Sequence, residues 1–213
     1  MESKIELFEK ESQEFNPFKH FISRIQVMEK ASSYGAEVAS KWTNILDKTL
    51  NENYPVVHPI GQETFSLYAE FPTGVFEYAL DIDGATTFIK EKNIKLIKFS
   101  PSKIIEAVDQ GNINKDPSRI KPNHKNPVMV VQSRYLTNNK PYCINGNHRI
   151  FEAYRNNDEK IDVYVFKDLE FVSFFYDVLS KATYLLEIDY HNVVNDKRYL
   201  LHNENGAFAE ELK

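Results

Sequence analysis

The sequence predicts an α+β protein in which a compact α/β domain is flanked by N-terminal and C-terminal helices. Three observations predict it. Apolar residues recur at helical spacing near both ends of the 213-residue chain. Short β-branched runs bounded by Pro, Gly or Asn fill the stretch from 94 to 166. Two of those runs lead straight into helix-start signals, Ser100-Pro101 and Asn145-Gly146-Asn147. The pattern divides the chain into 1–93, a helical extension with short irregular or strand elements; 94–166, the α/β domain; and 167–213, a helical segment packing on the same core.

Asn16 places a capping side chain before Pro17, which suits a first helical turn. Phe18, Phe21, Ile22, Ile25 and Met28 follow at helical spacing, and Val38, Trp42, Ile45, Leu46 and Leu50 continue it, with a break or kink expected at Ser33-Tyr34-Gly35. Pro59, Gly61, Pro72 and Gly74 punctuate Val56 to Leu80, which reads as short strands or irregular structure. Asp81-Ile82-Asp83-Gly84 resembles the start of a calcium loop but lacks the glutamate at the twelfth position, so a turn and a capped helix from Ala85 to Lys92 are expected instead. Ile94 to Phe99 alternates as a strand, and the helix opened by Ser100-Pro101 should present Ile104, Ile105 and Val108 and end at Gly111. Asn112 to Asn126 reads as a polar loop. Pro127 to Gln132 is a buried strand, Tyr142-Cys143-Ile144 another, His148 to Asn156 a helix and Ile161 to Phe166 a last strand. Leu169 to Ile188 is dense enough in Phe, Tyr and Leu to be one buried helix.

Fifteen Phe and twelve Tyr supply the apolar area a folded core needs. The single cysteine, Cys143, cannot form an internal disulfide, and residues 1–14 lack the apolar core of a signal peptide, so a cytoplasmic protein without membrane spans is expected. The net charge of −5 is uneven. From Asn93 to Arg149 ten Lys and Arg face only Glu106, Asp109 and Asp116, about +7 in an otherwise acidic chain. Such an island attracts anions, either a nucleotide or a nucleic-acid backbone, or it is simply a solvated lysine-rich face.

A strand that ends in Asn-Gly and passes at once into a helix leaves free backbone amides pointing at one spot, where the helix dipole is positive. Gly146 removes the side chain that would obstruct a close ligand. Arg149 adds a forked donor suited to phosphate, His148 a ring that can donate, accept or carry a proton, and Asn145 and Asn147 amide groups. Anion binding is the direct physical reading. Against it stands the reading in which Gly146 only serves a turn and Arg149 pairs with Asp158 or Glu159.

The order of these elements, with the proline-led Pro127-Val128-Met129-Val130 strand and the Asn145-Gly146-Asn147-His148-Arg149 loop, resembles the ParB/sulfiredoxin superfamily over roughly residues 94–166. The loop looks like the Asp-Gly-Asn-His-Arg type, with Asn145 in place of the aspartate. The resemblance implies a domain whose loop holds nucleotide phosphates, in a superfamily that includes CTP-dependent DNA clamps, ATP-using sulfinic-acid reductases, free-serine kinases and proposed nucleases. Asn147 stands where sulfiredoxins carry their reactive cysteine, so Cys143 reads as a small buried residue. Of the earlier helix only Lys103 could assist with phosphate. The segment after Phe166 is too apolar and acidic to read DNA.

Three functions fit. The first is an enzyme of phosphoryl transfer or phosphate-ester hydrolysis, using a nucleotide of ATP or CTP type with Mg2+. Asn145, Gly146, Asn147, Arg149 and Lys103 would bind it, His148 would act as acid, base or second phosphate donor, and Glu152 would be a base unless it faces solvent or pairs with Arg155. The second is a non-catalytic module that responds to nucleotide, and the third a ParB-like nuclease. A phosphate-bearing small molecule is the expected partner, nucleic acid a weaker one, and a homo-oligomer is compatible with the flanking helices.

Overall fold

The computed structural model describes residues 15–50, 54–113, 127–195, 201, 203 and 206–212, so most of the expected 112–126 loop lies outside the described residues. The fold is α+β, with a two-stranded and a four-stranded sheet. No described helix is long and apolar enough to cross a membrane. The chain divides into two compact units: residues 1–59, 66–79 and 175–213 form the first, and 60–65 with 80–174 the second.

In the first unit, α1 (Pro17–Ala31) starts as its sequence implies, with the Lys19 amide donating to Asn16 Oδ1 at 2.8 Å. Phe21, Ile25 and Met28 are buried, whereas Phe18, expected on the same apolar face, is exposed. The break falls at Ser32, whose extended backbone ends α1 and whose hydroxyl caps α2 (Ser33–Thr49). Val38, Trp42, Ile45 and Leu46 form the buried face of α2.

The segment read as short strands or irregular structure holds a hairpin of two eight-residue strands, β1 (Thr64–Phe71) and β2 (Gly74–Asp81), with residues 66–79 in the first unit. The long expected helix from Leu169 is shorter and later. Asp177 accepts the Ser180 amide at 2.7 Å and so starts α6 (Val178–Val194), which lies in the first unit with α1 and α2; the preceding aromatics make only a 3₁₀ turn at Val172–Phe174. On α6, buried Glu187 accepts from Arg24 Nε at 2.6 Å and Nη2 at 3.1 Å, with His20 Nε2 3.1 Å away, tying α6 to α1. Asp189 accepts from Trp42 Nε1 at 2.7 Å and from the Phe208 and Ala209 amides, tying it to α2 and the C-terminal turn Phe208–Leu212.

In the second unit, Asp81 caps α3 (Ile82–Glu91) by accepting the Gly84 amide, so the calcium-loop lookalike is a helix start. The sheet runs β3 (Ile97–Phe99), β6 (Ile161–Lys167), β4 (Val128–Gln132), β5 (Pro141–Asn145). β4 and β6 are parallel, and the connection between them carries β5 and α5 (Asn147–Arg155). The helix expected from Ser100 to Gly111 is a single turn, α4 (Pro101–Ile104), followed by 3₁₀ turns. Ile104, Ala107, Val108, Val128, Val130, Cys143, Ile150 and Val163 make one buried cluster beneath α4 and α5.

Candidate functional site

The candidate site is the junction of β5 and α5. Asn145 is the last residue of β5 and pairs with Met129, beside a register irregularity between Met129 and Val130. Gly146 then turns the chain with φ +101° and ψ 23°, a left-handed conformation that favours glycine. No side chain caps α5; its first internal bond runs from the Ile150 amide to Gly146 O at 3.1 Å. The amides of Asn147, His148 and Arg149 therefore lack i−4 carbonyl partners, as at any helix start.

The loop side chains are not equivalent. Asn147 turns inward, is 7 % exposed, and accepts the Asp109 amide through Oδ1 at 3.1 Å. Asn145 is also 7 % exposed, and its Nδ2 has no hydrogen-bond acceptor among the described residues. The Arg149 Nη2 is likewise buried without an acceptor among them. The guanidinium lies over the turn, since a Cβ placed on Gly146 would stand 2.8 Å from Nη2 and 2.9 Å from Val128 Cγ2. The alternative pairing of Arg149 with Asp158 or Glu159 is not formed. Burial holds the Arg149 guanidinium below its ordinary pKa, while the Cys143 thiol and the Glu63 carboxylate act in the opposite direction.

His148 is half-buried in the first turn of α5 and already has a partner in the fold. Glu152 is exposed on the next turn and joins neither Arg155 nor another described residue. Lys103 is exposed on α4, which packs against α5, and its ammonium makes no described contact with the loop. Thus Asn145, Gly146, Asn147, His148 and Arg149 come together, and Glu152 and Lys103 stand apart. Cys143 is fully buried in the core cluster, and burial pushes its thiol up to about 12.

Sequence reasoning missed the groups that hold the loop from behind. Asp109 accepts the Tyr142 hydroxyl at 2.7 Å and the Gly111 amide at 2.8 Å while its own amide reaches Asn147. Burial and the Asp109 bond keep the Tyr142 hydroxyl well above the usual phenol range. The Asp109-Gln110-Gly111 turn has a readable signature, a carboxylate bonding the amide two residues on. The contact of Phe65, far earlier in the chain, with the Tyr142 ring, edge to face at 6.2 Å between centroids, has none.

Among the described residues no three His, Cys, Asp or Glu side chains form a group that could hold a metal ion. No family model, curated protein or solved structure matches the chain.

Proposed function

We propose that the second unit is a phosphate-binding module of ParB/sulfiredoxin type, whose Asn145–Arg149 loop takes the phosphates of a nucleotide of ATP or CTP type or another phosphate-bearing small molecule. The observation that carries this is the pair of buried donors, Asn145 Nδ2 and Arg149 Nη2, without acceptors among the described residues at a helix start that no side chain caps. A buried donor left unmatched costs about 1–3 kcal/mol, and more when charged. An anion offering several acceptor oxygens would satisfy both donors together, at the positive end of the helix dipole. The groups that fit such a ligand are all donors, so a Mg2+ ion would arrive on its phosphates.

The observations support binding more directly than catalysis: of the acids read as possible bases or lying behind the loop, Glu152 is exposed and Asp109 is engaged with Tyr142 and Gly111. If phosphate is transferred or hydrolysed, His148 is the group in the loop able to move a proton.

The test is calorimetric titration of the full chain with ATP, CTP and inorganic phosphate, with and without Mg2+, beside melting curves. Arg149→Ala and Arg149→Lys should each weaken binding roughly tenfold to a hundredfold, because a lysine does not reproduce the forked donor. Neither should lower melting clearly, since the guanidinium holds no described partner whose loss would cost stability. Unchanged affinity with clearly lowered melting would defeat the assignment. Under turnover, His148→Ala should lower kcat more than affinity.

A further inference from the structure

We propose that Asp109 is the positioning residue of the phosphate loop: by gripping Tyr142 on β5 and Asn147 on α5, one on each side of Gly146, it sets the angle at which Asn145 and Arg149 present their donors. The inference rests on the phosphate-binding reading and adds to it a residue outside the loop on which the affinity of the site depends.

The loop does little to fix itself. Its pairing with β4 ends at Asn145, beside the register irregularity between Met129 and Val130. Gly146 stands at the cap position of α5, offers no side chain to close the turn, and as a glycine permits a wide range of backbone angles. The constraint comes from Asp109. Its carboxylate accepts the Tyr142 hydroxyl through Oδ2 at 2.7 Å and the Gly111 amide through Oδ1 at 2.8 Å, while its own amide donates to Asn147 Oδ1 at 3.1 Å. One residue thereby spans the strand, the turn and the helix start.

Asp109 is itself held. Ala107 and Val108, immediately before it, belong to the buried cluster with Val128, Cys143 and Ile150, and the Val108 amide donates to the Ile105 carbonyl at 3.1 Å. The Tyr142 ring is seated against Phe65, edge to face at 6.2 Å between centroids, so the hydroxyl that Asp109 receives is also fixed.

Position and charge act in opposite directions here, which makes the role measurable. A carboxylate behind an anion site repels the anion, so if Asp109 acted through its charge, every neutral replacement would tighten phosphate binding. A positioning residue weakens binding when its grip is lost, whatever charge goes with it. Asparagine separates the two. Its Oδ1 can still accept the Gly111 amide, and its Nδ2 can donate to the Tyr142 hydroxyl, which then accepts instead of donating. The charge goes and the grip stays.

The experiment titrates the full chain with ATP, CTP and inorganic phosphate, well below the melting temperature of every variant. Wild type, Asp109→Ala, Asp109→Asn, Tyr142→Phe and Arg149→Ala are compared, with melting curves beside the titrations. Asp109→Ala should weaken binding about tenfold, the scale of one charge-assisted hydrogen bond presented at the wrong angle. Tyr142→Phe removes one end of the grip and no charge, and should weaken binding about threefold. Asp109→Asn should bind at least as tightly as wild type. If Asp109→Ala does not fold, Tyr142→Phe and Asp109→Asn carry the test, since one loses the grip and the other keeps it. Unchanged or tighter binding in Asp109→Ala or Tyr142→Phe, whatever happens to melting, overturns this inference and leaves the phosphate site standing; so does an Asp109→Asn variant that binds as weakly as those two. Failure of wild type to bind any of the three ligands, or binding indifferent to Arg149→Ala, overturns both.

Discussion

The Cys143 side chain sits directly behind the candidate loop, two residues before Asn145, and its environment decides what it can do. It is fully buried among Val128, Val130 and Ile150, and with its thiol near 12 almost none is thiolate at neutral pH. We expect the folded protein to resist iodoacetamide and the denatured protein to react fully, which mass spectrometry would read. Cys143→Ala should leave phosphate affinity within about twofold, since no donor of the site is lost. Cys143→Ser should lower stability by about 1–3 kcal/mol, because a hydroxyl would be buried among apolar neighbours. Rapid native alkylation, or loss of binding in Cys143→Ala with melting preserved, would count against this assignment. The role of Cys143 was legible in sequence because it stands inside a strand pattern. The inward turn of Asn147 was not, since Asp109 is distant in the chain and nothing local marks their bond.

At the scale of elements, the β5-turn-α5 unit was readable because each instruction is local: a β run, an Asn-Gly, then apolar residues at helical spacing. Its turn makes a sharp demand on Gly146. Alanine there would have to hold a left-handed φ and place Cβ 2.8 Å from Arg149 Nη2 and 3.2 Å from Val128 Cα. The left-handed conformation alone costs about 1–2 kcal/mol, and Val128, whose backbone forms part of a sheet, cannot retreat cheaply. We therefore expect Gly146→Ala to lower stability and to weaken phosphate binding, because Arg149 must move. A melting curve and titration matching wild type would show the turn to be more tolerant than its geometry allows. Other elements were misread where local signals competed. Asp109 bonds the Gly111 amide and Val108 is extended, which ends the helical run begun at Pro101 long before Gly111. Short strands were among the readings of Val56 to Leu80, but β2 buries every residue from Val75 to Leu80, so it lacks the alternation that would have set its bounds. Asp177 was a readable cap, but the aromatics before it carried the expected helix start back to Leu169.

For the whole molecule, each unit gathers stretches distant in the chain: α1, α2 and α6 fall in one, and α3 with the four-stranded sheet in the other. Such non-local grouping leaves little trace in a single sequence, and the first unit is joined by buried polar contacts that no periodicity shows. One of them makes stability depend on pH. Asp189 is 2 % exposed, and burial raises its carboxyl from 3.8 to about 6, partly offset by the Phe208 amide, Trp42 Nε1, the Ala209 amide and the charge of Lys41. A carboxyl whose folded pKa lies above its unfolded value adds stability that is fully present below the unfolded pKa of 3.8 and is lost as pH rises through about 6. The change across that window is on the order of 3 kcal/mol. Glu187 runs the other way, since its pKa is lowered by His20 and Arg24 against the cost of burial, so its contribution fades as pH falls. A single melting profile mixes the two, whereas a difference between variants separates them. Asp189→Asn keeps one acceptor oxygen but puts an amide where a second donor now points, so it should melt below wild type near pH 4. Because asparagine does not titrate, wild type alone suffers the Asp189 loss on going to pH 7, and the gap between the two melting temperatures should narrow steadily between pH 4 and 7. Parallel melting profiles over that range would mean that Asp189 titrates as it does in the unfolded chain, and the carboxylate would then have to be better solvated than its burial against Trp42 and the C-terminal turn permits.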